Sequence, residues 1–173
     1  DLNLLTLKPV LYAANVGEEN IGADNNQLVE QIETRAQEEE AEVVTVSAQI
    51  EAEIAEMNAE EKELFLAELG IEESGLDKLI KAGYRLLGLI TFFTAGKKEV
   101  RAWTVERGAT APEAAGQIHS DMERGFIRAE VVSYENLVKA GSFAEAREEG
   151  LLRLEGKDYI LKDGDVCYFR FNV

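Results

Sequence analysis

Asn15, Val16, Gly17 and Glu18 break off an apolar run, PVLYAA, and bring polar chemistry to its end. The amide of Asn15 can donate and accept hydrogen bonds together, which suits one edge of a planar base. A carboxylate three residues on, Glu18, can accept from an adjacent donor. A second apolar stretch, EVVTV, ends in Ser47-Ala48, whose backbone N–H groups can also face a base. Two chain segments therefore offer a polar slot of purine size. N-x-x-E is a weak pattern by itself, and ordinary loop residues after a strand have the same form, so spacing alone leaves both alternatives open.

A second cluster is basic. Lys97, Lys98, Arg101 and Arg107 fall around one short turn, with Phe93 and Trp103 nearby. Such a group can hold RNA phosphates and stack bases, or it can be a solvated turn above a core tryptophan. His119 has no Cys or His close by and forms no metal set; it reads as an exposed or half-packed histidine within a helix. Cys167 alternates with aromatic residues and reads as a small buried hydrophobe. Glu51, Glu53 and Glu56 read as one solvated helix face. No Ser/His triad and no metal-ligand spacing is present, so no residue is assigned a catalytic or metal-binding role.

The elements that must position these groups fall in two series. Residues 8–15 form a short apolar run expected as a strand buried on both faces. Residues 27–40 carry Leu28, Ile32 and Ala36 at helical spacing, with caps offered at 24–26. Residues 42–47 are rich in β-branched side chains and predict a second strand. Strand, helix and strand in this order make a βαβ unit of a parallel sheet. Helices follow over 50–57, over 59–69 behind an Asn58/Glu61 capping box, and over 76–87 behind Ser74 and Asp77. In open parallel sheets, ligands sit beyond the carboxyl ends of the strands, where Asn15 and Ser47 stand.

The second series changes character. Residues 89–95 and 99–105 predict a hairpin about the basic turn. Thr110/Glu113 opens a helix expected to run to Arg124, with Pro112 in its first turn. Residues 126–133 predict a strand. Residues 158–173 predict two strands around 162–165, with Cys167, Phe169, Phe171 and Val173 on one apolar face. Hairpin, helix and further strands describe an α+β roll of the β-grasp, ubiquitin-like kind.

Charge divides the chain in the same place. Of the net charge of −16, residues 1–83 hold 20 acidic against 5 basic groups, and residues 84–173 hold 14 against 13. The acidic part should repel nucleic acid, while the balanced part can tolerate it. Hydrophobic residues at 46% suffice for a folded core. No apolar run reaches the roughly 20 residues of a membrane span, no leader pattern opens the chain, and its single cysteine makes no internal disulfide. A cytoplasmic protein without membrane contact is the expectation; the oligomeric state is left open.

Four stretches carry a resemblance: TLKPVLYAANVGEEN, VVTVSAQIEAEIAEM, the long run from AGYRLLGLITFFTAGKKEVRAWTVE to GFIRAEVVSYENL, and EGKDYILKDGDVCYFRFNV. Together they resemble the carboxyl-terminal half of YchF proteins, the Obg-like ATPases of the translation-factor class. The resemblance implies that residues 1–83 are the last part of a P-loop-type nucleotide-binding (G) domain with a helical connector. Residues 84–173 then form a TGS domain, a β-grasp module. It further implies that Asn15-Val16-Gly17-Glu18 is the base-specificity motif, where ordinary GTPases carry N-K-x-D. Val16 replaces the lysine and Glu18 the aspartate, a change that fits guanine poorly and favours ATP, with GTP also bound. Ser47-Ala48 takes the place of the last nucleotide motif.

G-x-x-x-x-G-K-[ST] is absent from these residues, and so is a D-x-x-G metal motif. In the family both lie upstream, and Mg²⁺ is expected only with them. The resemblance thus implies ATPase or GTPase activity in a longer protein, no hydrolysis by this chain alone, and association with the ribosome or RNA. The alternative is a non-catalytic RNA- or protein-binding module acting through the TGS domain.

Overall fold

The computed structural model describes residues 4–21, 26–96 and 99–172. The chain forms two compact units, Asp1–Leu87 and Gly88–Val173.

In the first unit, β1 (Leu11–Asn15) and β2 (Glu42–Val46) pair in parallel, with Leu11 opposite Glu42 and Asn15 opposite Val46. Their crossover helix is α1 (Gln27–Glu38). The Asn26 side chain starts it by accepting from the Leu28 and Val29 N–H groups. The other expected caps, Asp24 and Asn25, lie outside the described residues. The first strand starts at Leu11, after Pro9, which has no N–H to give a ladder. It is not buried on both faces: Ala14 is buried while Ala13 is exposed, in a sheet of two strands among the described residues.

Three helices follow: α2 (Ala48–Ile54), α3 (Ala59–Glu68) and α4 (Gly75–Leu86). Asn58 and Glu61 form the expected reciprocal capping box, and Ser74 accepts from the Asp77 N–H. Ile50, Ile54 and Leu66 make a small core with Ile21, Phe65, Leu69 and Ile71. Helix α4 packs against β2 through Gly75, where a Cβ would lie 3.0 Å from the Cα of Val46. Backbone meets backbone there, and only glycine leaves room.

The second unit is a five-stranded mixed sheet. Its strands are β3 (Leu89–Ala95), β4 (Val100–Glu106), β5 (Phe126–Ser133), β6 (Arg153–Glu155) and β7 (Asp165–Phe171), in the order β4-β3-β7-β5-β6. The parallel pair β3–β7 lies at the centre and antiparallel pairs flank it. On one face, α5 (Ala111–Ile118) sets Ala111, Ala114 and Ala115 against Ile90, Phe92, Val131, Cys167 and Phe169. On the other, α7 (Tyr134–Ala140) and α8 (Phe143–Glu148) cover Val132 and Val166 with Leu137, Ala140 and Phe143.

Three expectations change here. The helix from Thr110 does not continue to Arg124. It stops at Ile118, and α6 (Ser120–Arg124) starts afresh. His119 between them is extended (φ −163°, ψ 138°), and its Nδ1 accepts from the Asp121 N–H at 3.1 Å. Histidine serves as a cap, not as a mid-helix residue. Gly116 faces the Glu123 side chain across the fold-back, with an added Cβ 3.1 Å from the Glu123 Cδ.

Residues 158–161 are not a hairpin partner of β7. Ile160 makes a single bridge to Thr110, and the three-residue β6 pairs with β5 instead. The apolar face of β7 also ends early: Cys167 and Phe169 are buried, Phe171 is 44% exposed, and Val173 lies outside the described residues.

Candidate functional site

The parallel register of β1 and β2 ends both strands side by side, at Asn15 and Val46. The chain then turns outward on each side. The Val16 N–H donates to the Val46 carbonyl at 2.9 Å, which carries the strand pairing one step further. Asn15 reaches across: its Oδ1 accepts from the Ala48 N–H at 3.0 Å. Gln49 Nε2 donates to Glu18 Oε2 at 3.4 Å. The residues singled out from the sequence are thus brought to one place, Asn15 and Glu18 from one strand end, Ser47 and Ala48 from the other.

This geometry assigns the atoms. Oδ1 of Asn15 is engaged, so the amide offers its NH₂ edge as donor. The Ala48 N–H, read from the sequence as a free donor, is already taken by that Oδ1. Asn15, Glu18 and Ala48 are exposed, and Val16 is half-buried. Ser47 is fully buried, and its hydroxyl has no hydrogen-bond partner among the described residues.

The supporting shell was not visible in the sequence. Glu51 is more than a solvated helix residue: its Oε1 accepts from the Gly75 N–H at 2.7 Å, tying α2 to the start of α4. Ser74 Oγ donates to Asp77 Oδ2 at 2.8 Å, and Lys62 Nζ lies 3.0 Å from the same oxygen. The Ser74 hydroxyl first, then Lys62, hold the Asp77 carboxyl below the usual carboxylate range. The helix that packs on Val46, next to Ser47, is therefore fixed at its first turn by two carboxylates.

The basic group is less compact than its sequence spacing suggests. Lys97 and Lys98 lie outside the described residues. Arg101 stands near the turn end of β4, opposite Thr94, with its guanidinium 4.7 Å over the Trp103 ring. Trp103 packs against the core and donates through Nε1 to Thr94 Oγ1 at 2.9 Å. Arg107 follows the opposite end of the same strand, beside Gly108, Glu113 and Gln117. Arg101 and Arg107 are not neighbours.

Among the described residues no group of three or more His, Cys, Asp and Glu is placed to hold a metal ion. Among them, too, no helix is long and apolar enough to cross a membrane. Cys167 is buried as expected, and burial pushes its thiol well above the ordinary range.

Comparison with known proteins bears on both units. A family model, YchF-GTPase_C, described as a protein of unknown function (DUF933), matches residues 89–172. The ribosome-binding ATPase YchF of Bacillus subtilis (strain 168) is 60% identical over 173 residues, covering 99% of this chain and 47% of the relative. The protein of the same name from Haemophilus influenzae is 58% identical over 171 residues, with the same coverage. The chain thus spans about half the length of the curated relatives it matches. Among solved structures, the YchF GTPase of Schizosaccharomyces pombe superimposes with a TM-score of 0.84 at 32% identity, over 96% of this chain and 44% of that one. A GTP-binding protein from Pyrococcus horikoshii OT3 shares the fold, with a TM-score of 0.66 at 17% identity over 95% of this chain and 46% of that one.

Proposed function

The chain belongs to the YchF family, and from that premise we propose that it supplies the base-reading end of a nucleotide site together with a ribosome-directed module. The site serves a P-loop ATPase or GTPase of the translation-factor class, acting in the cytoplasm. The observation that carries this reading is the Asn15 Oδ1 to Ala48 N–H bond across the two strand ends. It orients the Asn15 amide so that its NH₂ faces outward. A purine presents an acceptor at N7, and adenine adds an amino donor beside it where guanine has a carbonyl. Asn15 then donates to N7, and Glu18 supplies the acceptor that favours adenine. Val16 closes the slot, Ala48 forms its second wall with the buried Ser47 behind it, and Gln49 steadies Glu18.

Phosphate chemistry lies with groups these residues do not contain. Mg²⁺ and a phosphate-binding loop belong to the longer protein, and this chain alone is not expected to hydrolyse ATP or GTP. The second unit supports the reading of a TGS-type β-grasp module through its strand order β4-β3-β7-β5-β6 with a central parallel pair and α5 across one face. Its basic hairpin, with Lys97, Lys98, Arg101 and Arg107, is the proposed RNA- or ribosome-contacting edge. A binding module without catalysis is the second reading, favoured by the Arg101–Trp103 stack.

Phosphate release from ATP and GTP, measured for this chain and for a protein of its relatives' full length, tests the division. Slow release by the longer protein and none by the chain is expected; equal activity in the chain would refute it. Lys97→Glu with Lys98→Glu should lower co-sedimentation with ribosomes while leaving hydrolysis by the longer protein unchanged. Unaltered co-sedimentation would return the hairpin to a solvated turn.

A further inference from the structure

Helices α7 and α8 cover only part of their sheet face. Val132 and Val166 lie opposite each other and are buried beneath them. Further along the same two strands Glu130 lies opposite Tyr168, and beyond that pair Arg128 lies opposite Arg170. Alternate residues share a face, so these pairs continue the covered row into the open. Phe93 of β3 stands opposite Val166, and Ala95 extends that strand in the same direction. The uncovered end is a cleft of about 550 Å³, with Leu137, Phe143 and Ala144 as its helical wall, Ala95 at its side, and Tyr168 and Arg170 on its floor.

The wall is aliphatic and aromatic carbon, and Arg170 is the cation among the lining residues. Glu130 is buried and its carboxylate is shared: Arg147 Nη2 donates to Oε2 at 2.6 Å and Arg170 Nε to Oε1 at 3.3 Å. The bond through Nε leaves the two terminal nitrogens of Arg170, on a half-exposed side chain, as a fork for a further acceptor. Its guanidinium also lies 4.4 Å over the Tyr168 ring. A guanidinium held at one nitrogen and over a ring presents a preoriented pair of donors, which matches the two oxygens of a carboxylate. Arg128, opposite, is exposed and has no hydrogen bond or ion pair among the described residues. Glu145, beside Ala144, accepts from the Ser142 hydroxyl at 2.8 Å. Arg128, Arg147 and Arg170 thus outnumber Glu130 and Glu145 here, in a chain whose net charge is −16.

We propose that this cleft binds the carboxyl terminus of a partner polypeptide, with an apolar last side chain against Leu137, Phe143 and Ala144 and the α-carboxylate on the Arg170 fork. The volume falls in the range, roughly 300–1,000 Å³, in which apolar walls enclose a ligand and a few polar groups orient it. Capture of a terminal carboxylate is a recurring way for a small module to read a peptide. An internal acidic residue would carry backbone N–H and C=O groups over the apolar wall on both its sides, whereas a chain end carries them on one. RNA suits the cleft less well. A base needs an open ring face, and Arg170 already lies over that of Tyr168. A phosphate track needs a row of cations, and a polyanion must also approach a chain of strongly negative net charge. One carboxylate answers to the local excess of arginine alone.

The test is fluorescence anisotropy of a labelled octapeptide ending in leucine, prepared as the free acid and as the amide and titrated with the whole chain. The acid should bind, and the amide about ten- to a hundredfold more weakly, the loss of a charge-assisted contact. Arg170→Gln should weaken the acid to the level of the amide and leave the amide unchanged. Ala144→Phe, at an exposed position of the cleft wall, should abolish binding of the acid while melting by circular dichroism stays at the parent value. That second variant decides the matter if Arg170→Gln, which leaves Glu130 with one arginine, does not fold. Equal binding of acid and amide, or no binding of either at millimolar chain, would overturn the proposal. N-acetyl-leucine binding as tightly as the peptide would overturn a polypeptide in favour of a small carboxylate. Binding of labelled oligo(U) that is lost in Ala144→Phe would overturn it in favour of RNA.

Discussion

Replacing Asn15 by aspartate and, separately, by alanine divides the two roles assigned to its side chain. The carbonyl oxygen ties the strand ends together by accepting from the Ala48 N–H at 3.0 Å; the NH₂ is the proposed base donor. Aspartate keeps an acceptor and turns the donor into a second acceptor. Alanine loses both. Removal of one exposed backbone-to-side-chain hydrogen bond costs about 0.5–1.5 kcal/mol, which in a unit of this size moves the melting midpoint by roughly 4–8 °C per kcal/mol. Asn15→Ala should therefore melt several degrees lower, and Asn15→Asp close to the parent. Affinity for ATP should order differently. Loss of one neutral donor contact costs about 1 kcal/mol, a rise in Kd of about five- to tenfold for alanine. A carboxylate facing the N7 lone pair costs about 2 kcal/mol, or roughly thirtyfold, for aspartate. Thermal melts of the chain and calorimetry of the longer protein give the two scales. Aspartate binding ATP as the parent does would refute the donor role. Aspartate melting as low as alanine would refute the tie to Ala48.

Further outcomes concern the supporting shell. Gly75→Val should destabilise the first unit by about 1–3 kcal/mol in urea unfolding, because its Cβ meets the Val46 backbone at 3.0 Å; an unchanged midpoint would show that α4 can slide off β2. Asp77 has its pKa held down by Ser74 and Lys62, below an unfolded value of about 3.9. A depressed carboxyl contributes stability above the unfolded pKa and loses it as pH falls through the folded one. The melting difference between the parent and Asp77→Asn should thus be full at pH 7 and shrink below about pH 4; a constant difference would refute the ionic part of the contact.

Local chemistry was the legible part of this sequence. Asn58/Glu61, Ser74/Asp77 and Thr110/Glu113 satisfy helix N-termini within three residues, so spacing announces them, and the structure forms all three. Ser142/Glu145 has the same form and opens α8, and Gly141, left-handed at φ 85°, marks the end of α7 just before it; neither helix is among the expected elements. The His119 break was hidden because Ala115 to Arg124 keeps a helical composition, and histidine is not among the usual capping residues that spacing announces. Long-range ties escaped for a different reason. Glu51 reaches Gly75 and Arg170 reaches Glu130 across 24 and 40 residues, and no local pattern encodes such pairs. For the candidate site, the residue types and the place were legible, while the partner of each atom was not. Asn15 had a base edge as its expected acceptor and donor partner, and half of that capacity goes to Ala48.

Calorimetric titration of ATP, ADP and GTP into this chain and into a protein of its relatives' full length tests the base-reading account most directly. The account predicts binding by the longer protein, tighter for ATP than for GTP, and a loss of that preference when Glu18 is replaced by alanine. Equal affinity for ATP and GTP, or no binding of any of the three by either protein, would contradict it.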